Sequence, residues 1–201
     1  MSSINLNKGS SINLTKEVPG LKKVYVSISW DEAKKGADYD ADLSVIGLSA
    51  GKIQKQEDVV YYNHKSNPDG TIKSAGDNLT GAGDTDTDKE TITIDLAKIR
   101  PSLDELQVVM TLYQAKERKE DLSQLTHAYC RIVDASTDKE IAKFQIDGAG
   151  IKGDTLHFGN LVKDTTGAWH FNAVGTSDSE GLMGMMDKYG FDAATPLPKA
   201  A

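Results

Sequence analysis

The residues best equipped for chemistry lie between Gly76 and Glu90. This stretch holds five carboxylates, Asp77, Asp84, Asp86, Asp88 and Glu90, against one cation, Lys89. Gly76, Gly81 and Gly83 let it bend, and no Val, Ile or aromatic residue gives it anything to bury. A run of like charge ordinarily stays solvated. A glycine-bent acidic connection can instead wrap carboxylate and carbonyl oxygens around a hard cation, and Ca²⁺ accepts about six to eight oxygens in irregular geometry. No thiolate or imidazole lies in the stretch, so softer metals gain nothing there. A second acidic group, Asp38-Tyr39-Asp40-Ala41-Asp42, lies upstream. The expectation is that the two come together in the fold and share one or two Ca²⁺ ions, with an ordinary acidic surface loop as the alternative. An EF-hand does not fit. Its sixth loop position needs Gly, and these stretches have Leu43 and Lys89.

The elements that must position these carboxylates read as strands. Val24, Val26, Ile28 and Trp30 alternate with Tyr25, Ser27 and Ser29, a period of two. Further strands are expected at 43–48, 59–62, 71–73, 90–95 and 106–113, with pairs at 128–133 with 141–146 and 155–162 with 168–174. Asn67-Pro68-Asp69-Gly70 is a turn. Near the start, Ser3-Ile4-Asn5-Leu6-Asn7-Lys8 is echoed by Ser11-Ile12-Asn13-Leu14-Thr15-Lys16, which predicts a hairpin or two successive edge strands. Residues 96–99 should make one helical turn, and 115–124 a helix or loop. A final helix should begin at a capping box, Ser177-x-x-Glu180, and carry Leu182, Met185, Met186 and Tyr189 on one face, with Met183, Met185 and Met186 packing it. Short strands with frequent turns argue for a mainly β fold, a two-layer antiparallel β-sandwich with the acidic connections at one end. The expected organisation is one domain over residues 1–192 and a disordered tail over 193–201.

Composition narrows the function. A net charge of −7 repels phosphates, so nucleic acid is not an expected partner. The single cysteine, Cys130, alternates with Ala128 and Ile132 and reads as a buried thiol. The start shows no charged-then-apolar leader, and no run approaches the ~18 apolar residues of a membrane span, so a soluble cytoplasmic protein is expected. His64, His127, His157 and His170 lack zinc spacing. Gly81-Ala82-Gly83 lacks the Lys-Ser/Thr of a phosphate loop.

Several motifs together resemble the tellurium-resistance TerD family of bacterial stress proteins. They are Leu6-x-Lys8-Gly9, Asn13-Leu14-Thr15-Lys16 before Pro19-Gly20-Leu21, Trp30-Asp31, the 38–42 group, Tyr62-Asn63, and Ser66 through Pro68-Asp69-Gly70. Gly76-Asp77-Asn78-Leu79-Thr80-Gly81-x-Gly83-Asp84, Phe158-Gly159-Asn160-Leu161 and Trp169 to Gly175 continue the series. The resemblance implies a non-enzymatic β-sandwich holding Ca²⁺ through Asp40, Asp42, Asp77, Asn78, Asp84, Asp86 and Asp88, with Glu90 in support and main-chain carbonyls from Leu79 to Gly83. It further implies a role in tellurite resistance and stress response, alongside other proteins of that response and with possible peripheral association at the inner face of the membrane. Residues 83–90 are longer than the family pattern, with Thr85 in place of Gly and a cation at Lys89. That leaves open which of Asp86, Asp88 and Glu90 bind. The competing reading is a metal-dependent hydrolase that uses the carboxylate cluster to activate water.

Overall fold

Val24, Val26, Ile28 and Trp30 are all buried, and the alternation that marks them builds the centre of a β-sandwich. The computed structural model describes residues 3–32, 39–75, 88–147 and 150–192. The expected disordered tail at 193–201 lies outside the described residues. Twelve strands are described: β1 (Ile4–Leu6), β2 (Ser11–Asn13), β3 (Val24–Glu32), β4 (Ala41–Leu48), β5 (Val59–Val60), β6 (Ile72–Ser74), β7 (Glu90–Ile94), β8 (Glu105–Leu112), β9 (Leu125–Asp134), β10 (Lys139–Ile146), β11 (Thr155–Lys163) and β12 (Trp169–Asp178). One sheet runs β1-β10-β9-β3-β7-β6, and the other β2-β12-β11-β8-β4-β5. Their inner faces enclose the main core, with Trp30, Leu43, Ile92, Met110, Phe144 and Phe158 among its members. Cys130 lies in this core, 1% exposed, and burial, with Asp88 nearby, raises its thiol pKa far above the usual range. Among the described residues no helix is long and apolar enough to cross a membrane.

The N-terminal repeat does not fold back on itself. β1 pairs with β10, in parallel, in one sheet, while β2 pairs antiparallel with β12 in the other. The two copies are therefore edge strands of different sheets, joined by a turn in which the Ser10 amide donates to the Asn7 carbonyl at 2.9 Å and Gly9 takes φ +82°. A hairpin of two three-residue strands would be marginal alone. Docked separately, each copy gains ladder bonds and buries apolar side chains, Leu6 from the first and Ile12 and Leu14 from the second. The second copy then departs from strand geometry. Asn13 caps a short helix, α1 (Leu14–Glu17), by accepting from the Lys16 amide at 2.9 Å.

Two further short helices matter for the site. α2 (Ala115–Arg118) is bracketed by Gln114 and Lys119, both left-handed, and a 3₁₀ turn (Leu122–Gln124) follows it. α3 (Gly181–Asp187) lies against the outer side of the β4 sheet. Met185 and Met186 pack there with Ile46, Leu48, Val59 and Val109 in a second apolar cluster. Met183 instead points outward, 42% exposed. The expected capping box does not form. Ser177 is drawn into β12, opposite Leu156, and Glu180 occupies the cap position without a side-chain bond. Ladder pairing across the sheet outweighs a local cap.

Candidate functional site

Strand direction brings the acidic connections to one end of the sandwich. β3 ends at Glu32 in one sheet, and β4 begins at Ala41 in the other. β7 runs antiparallel to β3, with Glu90 opposite Ile28 and Ile94 opposite Val24, so β7 begins at that same end. The β8–β9 connection joins them, because Leu112 pairs with Ala41 and Leu125 with Glu32. Thr155 and Asp178 also lie there, opposite each other and next to Thr111.

Asp40 and Asp42 are 7% and 4% exposed. The Asp40 carboxylate faces Arg118 Nη1 at 3.9 Å, and the Asp40 carbonyl accepts from the Tyr113 amide at 2.8 Å. Arg118 also donates from Nε to Glu120 Oε1 at 3.0 Å. Asp42 pairs in register with Thr111 and lines a cleft on the outer side of the β4 sheet. Glu90, 5% exposed, alternates with the core residues Ile92 and Ile94 and so faces the space between the sheets. Asp42 and Glu90 therefore face opposite sides of the β4 layer.

Asp88 pairs with a cation from another strand. Its Oδ1 and Oδ2 accept from Arg131 Nε and Nη2, each at 2.6 Å, while Arg131 Nη1 lies 3.5 Å from Glu140. Asp88 holds the Arg131 guanidinium firmly protonated, raising its pKa despite partial burial. Next to it, Lys89 donates to the Trp30 carbonyl at 2.5 Å, and its ammonium sits 4.9 Å from the Trp30 ring centroid. The downstream end of the acidic connection is thus pinned to β9 and β3. Asp77, Asn78, Leu79, Gly83, Asp84 and Asp86 lie outside the described residues. Among the described residues no three His, Cys, Asp or Glu side chains group closely enough to hold a metal ion.

The neighbouring connections are fixed by carboxylates as well. Asp121 accepts from the Ser123 amide at 2.9 Å and the Gly153 amide at 2.7 Å. Burial alone would raise its pKa, but these bonds, with Lys152 nearby, hold it below the usual carboxylate range. Asp154 Oδ1 accepts from the Thr155 hydroxyl at 2.8 Å and the Gly181 amide at 2.9 Å, tying the start of β11 to the start of α3. Sequence reasoning had no signal for Arg118 or Arg131, which reach the acidic groups from connections far along the chain.

The comparisons with known proteins follow the same lines. The TerD domain profile matches residues 1–189. The tellurium resistance protein TerD of Alcaligenes sp is 32% identical over 194 residues, covering 96% of this chain and 100% of that protein. General stress protein 16U of Bacillus subtilis (strain 168) is 34% identical over 190 residues, with 93% and 97% covered. A solved homologue of a telluride resistance protein from Streptomyces coelicolor A3(2) shares the fold at a TM-score of 0.62 and 22% identity, covering 82% of this chain and 98% of that one. The chain belongs to the TerD family of tellurium-resistance and stress-response proteins.

Proposed function

We propose that this chain is a calcium-binding, non-enzymatic member of the stress response, and that bound Ca²⁺ pins the acid-rich end of the sandwich. The observation that carries the reading is the shared exit of both acidic connections at one end, with Asp40 and Asp42 already buried there. The donors on offer are all oxygens, which suits Ca²⁺. Asp40 and Asp42 would supply ligands from the first connection. Asp77, Asn78, Asp84, Asp86 and carbonyls between Leu79 and Gly83 would supply the rest, for one or two ions. Glu90 supports the site from the inner side. Asp88, both of whose oxygens accept from Arg131, anchors the downstream end of the connection. Holding the two connections in one shape would offer other stress-response proteins, or the cytoplasmic face of the membrane, a fixed surface for peripheral assembly. No observation on the described residues favours the hydrolase reading.

Calorimetric titration of the wild type and Asp77→Ala with Ca²⁺ tests the proposal. The wild type should bind with a stoichiometry of one or two, and Asp77→Ala should lose at least one ion. Chelation should lower the thermal midpoint, because a ligand bound only to the folded state stabilises it by RT ln(1 + [L]/Kd). Absence of heat in the wild type, together with an unchanged midpoint in EGTA, would refute it.

A further inference from the structure

At the same end, on the outer side of the β4 sheet, a cleft of about 540 Å³ opens between α3, the chain after β5 and the turn after β8. That size suits a small ligand. Three tyrosines line it, Tyr61 and Tyr62 from one connection and Tyr113 from another. Tyr61 and Tyr62 are 5.2 Å apart between centroids at 85°, and Tyr62 and Tyr113 are 5.8 Å apart at 82°. Two successive near-right angles make a corner of rings instead of a stack. Each pair meets edge to face, the arrangement that the aromatic quadrupole favours, and the three rings together form one aromatic wall of the cleft.

The charge of the wall points the same way. Asp42 and Asp154, 4% and 9% exposed, lie on the lining with Glu117 and Glu180, and Lys116 is the one cation among the lining residues. Three large hydrophobic side chains are exposed among the described residues, and two of them, Tyr113 at 37% and Met183 at 42%, stand at this opening. Exposed apolar groups gathered at one concave site mark a contact surface, whereas scattered ones do not.

We propose that this cleft binds a small organic ammonium ion, with its alkyl groups against the Tyr62 and Tyr113 rings and its charge toward Asp42 and Asp154. An alkylated ammonium combines the two features the wall complements. Its apolar surface suits the rings, and its diffuse charge is attracted by ring faces and by carboxylates together. A neutral molecule of the same shape would gain only the first, and an inorganic cation only the second. Asp42 is the one residue this proposal shares with the calcium reading, and it does not rest on that reading.

The test is an NMR titration of the full chain with choline in EGTA, reading isotopically labelled methionine methyls. Chelation keeps the result independent of any Ca²⁺ binding. The Met183 methyl should shift saturably, while that of Met110, fully buried in the core, should not move. The uncharged carbon isostere of choline should leave Met183 unshifted. Tyr113→Ala, a change at a partly exposed position, should weaken binding by about tenfold, and Tyr113→Phe should retain it. An equal response to the uncharged isostere, no saturable shift of Met183, or unchanged affinity in Tyr113→Ala would each overturn the proposal.

Discussion

Replacing Asp88 by Asn separates anchoring from ligation. The amide keeps the shape of the side chain but removes the charge that Arg131 grips with two 2.6 Å bonds. The pair is neither surface nor core, with side chains 22% and 30% exposed for Asp88 and Arg131. Exposed pairs contribute about 0–1 kcal/mol, and breaking a buried pair costs about 3–5 kcal/mol, so a loss of about 2 kcal/mol is expected. For a chain of this length that corresponds to a fall of about 6 °C in the thermal midpoint. Arg131→Met should cost more, because it leaves Asp88 and Glu140 facing each other without the guanidinium between them. The assay is thermal unfolding by circular dichroism in EGTA and in excess Ca²⁺. An anchoring residue loses the same amount in both, since its partner is Arg131 in either condition. A destabilisation seen in Ca²⁺ but absent in EGTA would mean that Asp88 works through the metal, and the assignment would fail. No destabilisation in either condition would remove the anchor altogether.

Burial, reinforced by Lys188, keeps the His157 imidazole below its usual pKa, against the opposing pull of the Gly159 carbonyl and Glu105. The unfolded chain therefore takes up this proton first as pH falls. The corresponding stability is complete above about pH 6.5 and declines below it, and His157→Gln should flatten the slope of the thermal midpoint between neutral and mildly acidic pH. Gly159→Ala should destabilise by about 3 kcal/mol or prevent folding, read by urea denaturation. A Cβ there would lie 2.2 Å from the Asn172 carbonyl oxygen and 2.8 Å from the Phe171 ring. Cys130 should react with a thiol reagent only at the rate of unfolding, and rapid labelling of the native protein would contradict its burial.

Much of the scaffold was legible in the sequence, because sustained alternation, as from Val24 to Trp30 in β3, reports which face is buried. Partner choice was not. Three residues such as Ile4–Leu6 can complete many sheet edges, and only the finished β10 and β12 edges decide where the two copies of the repeat dock. The box at Ser177 and Glu180 was a sound local signal overridden by a long-range ladder. The acidic groups were visible as composition, yet the cations that meet them were not. Arg131 is 43 positions from Asp88, and nothing in a strand's alternation says which charge it will face. The tyrosine corner was equally hidden, since Tyr62 and Tyr113 come from separate connections.

The opening residues act as a stitch through both layers. β1 closes the open side of β10 and, after one turn, β2 closes the open side of β12, so a single short thread seals two exposed edges on one flank. Deleting it would leave two bare rows of amides and carbonyls next to each other, each able to recruit a strand from another molecule. A shortened chain should therefore self-associate while its core stays intact, which makes the far N-terminus a guard of solubility as much as a part of the fold.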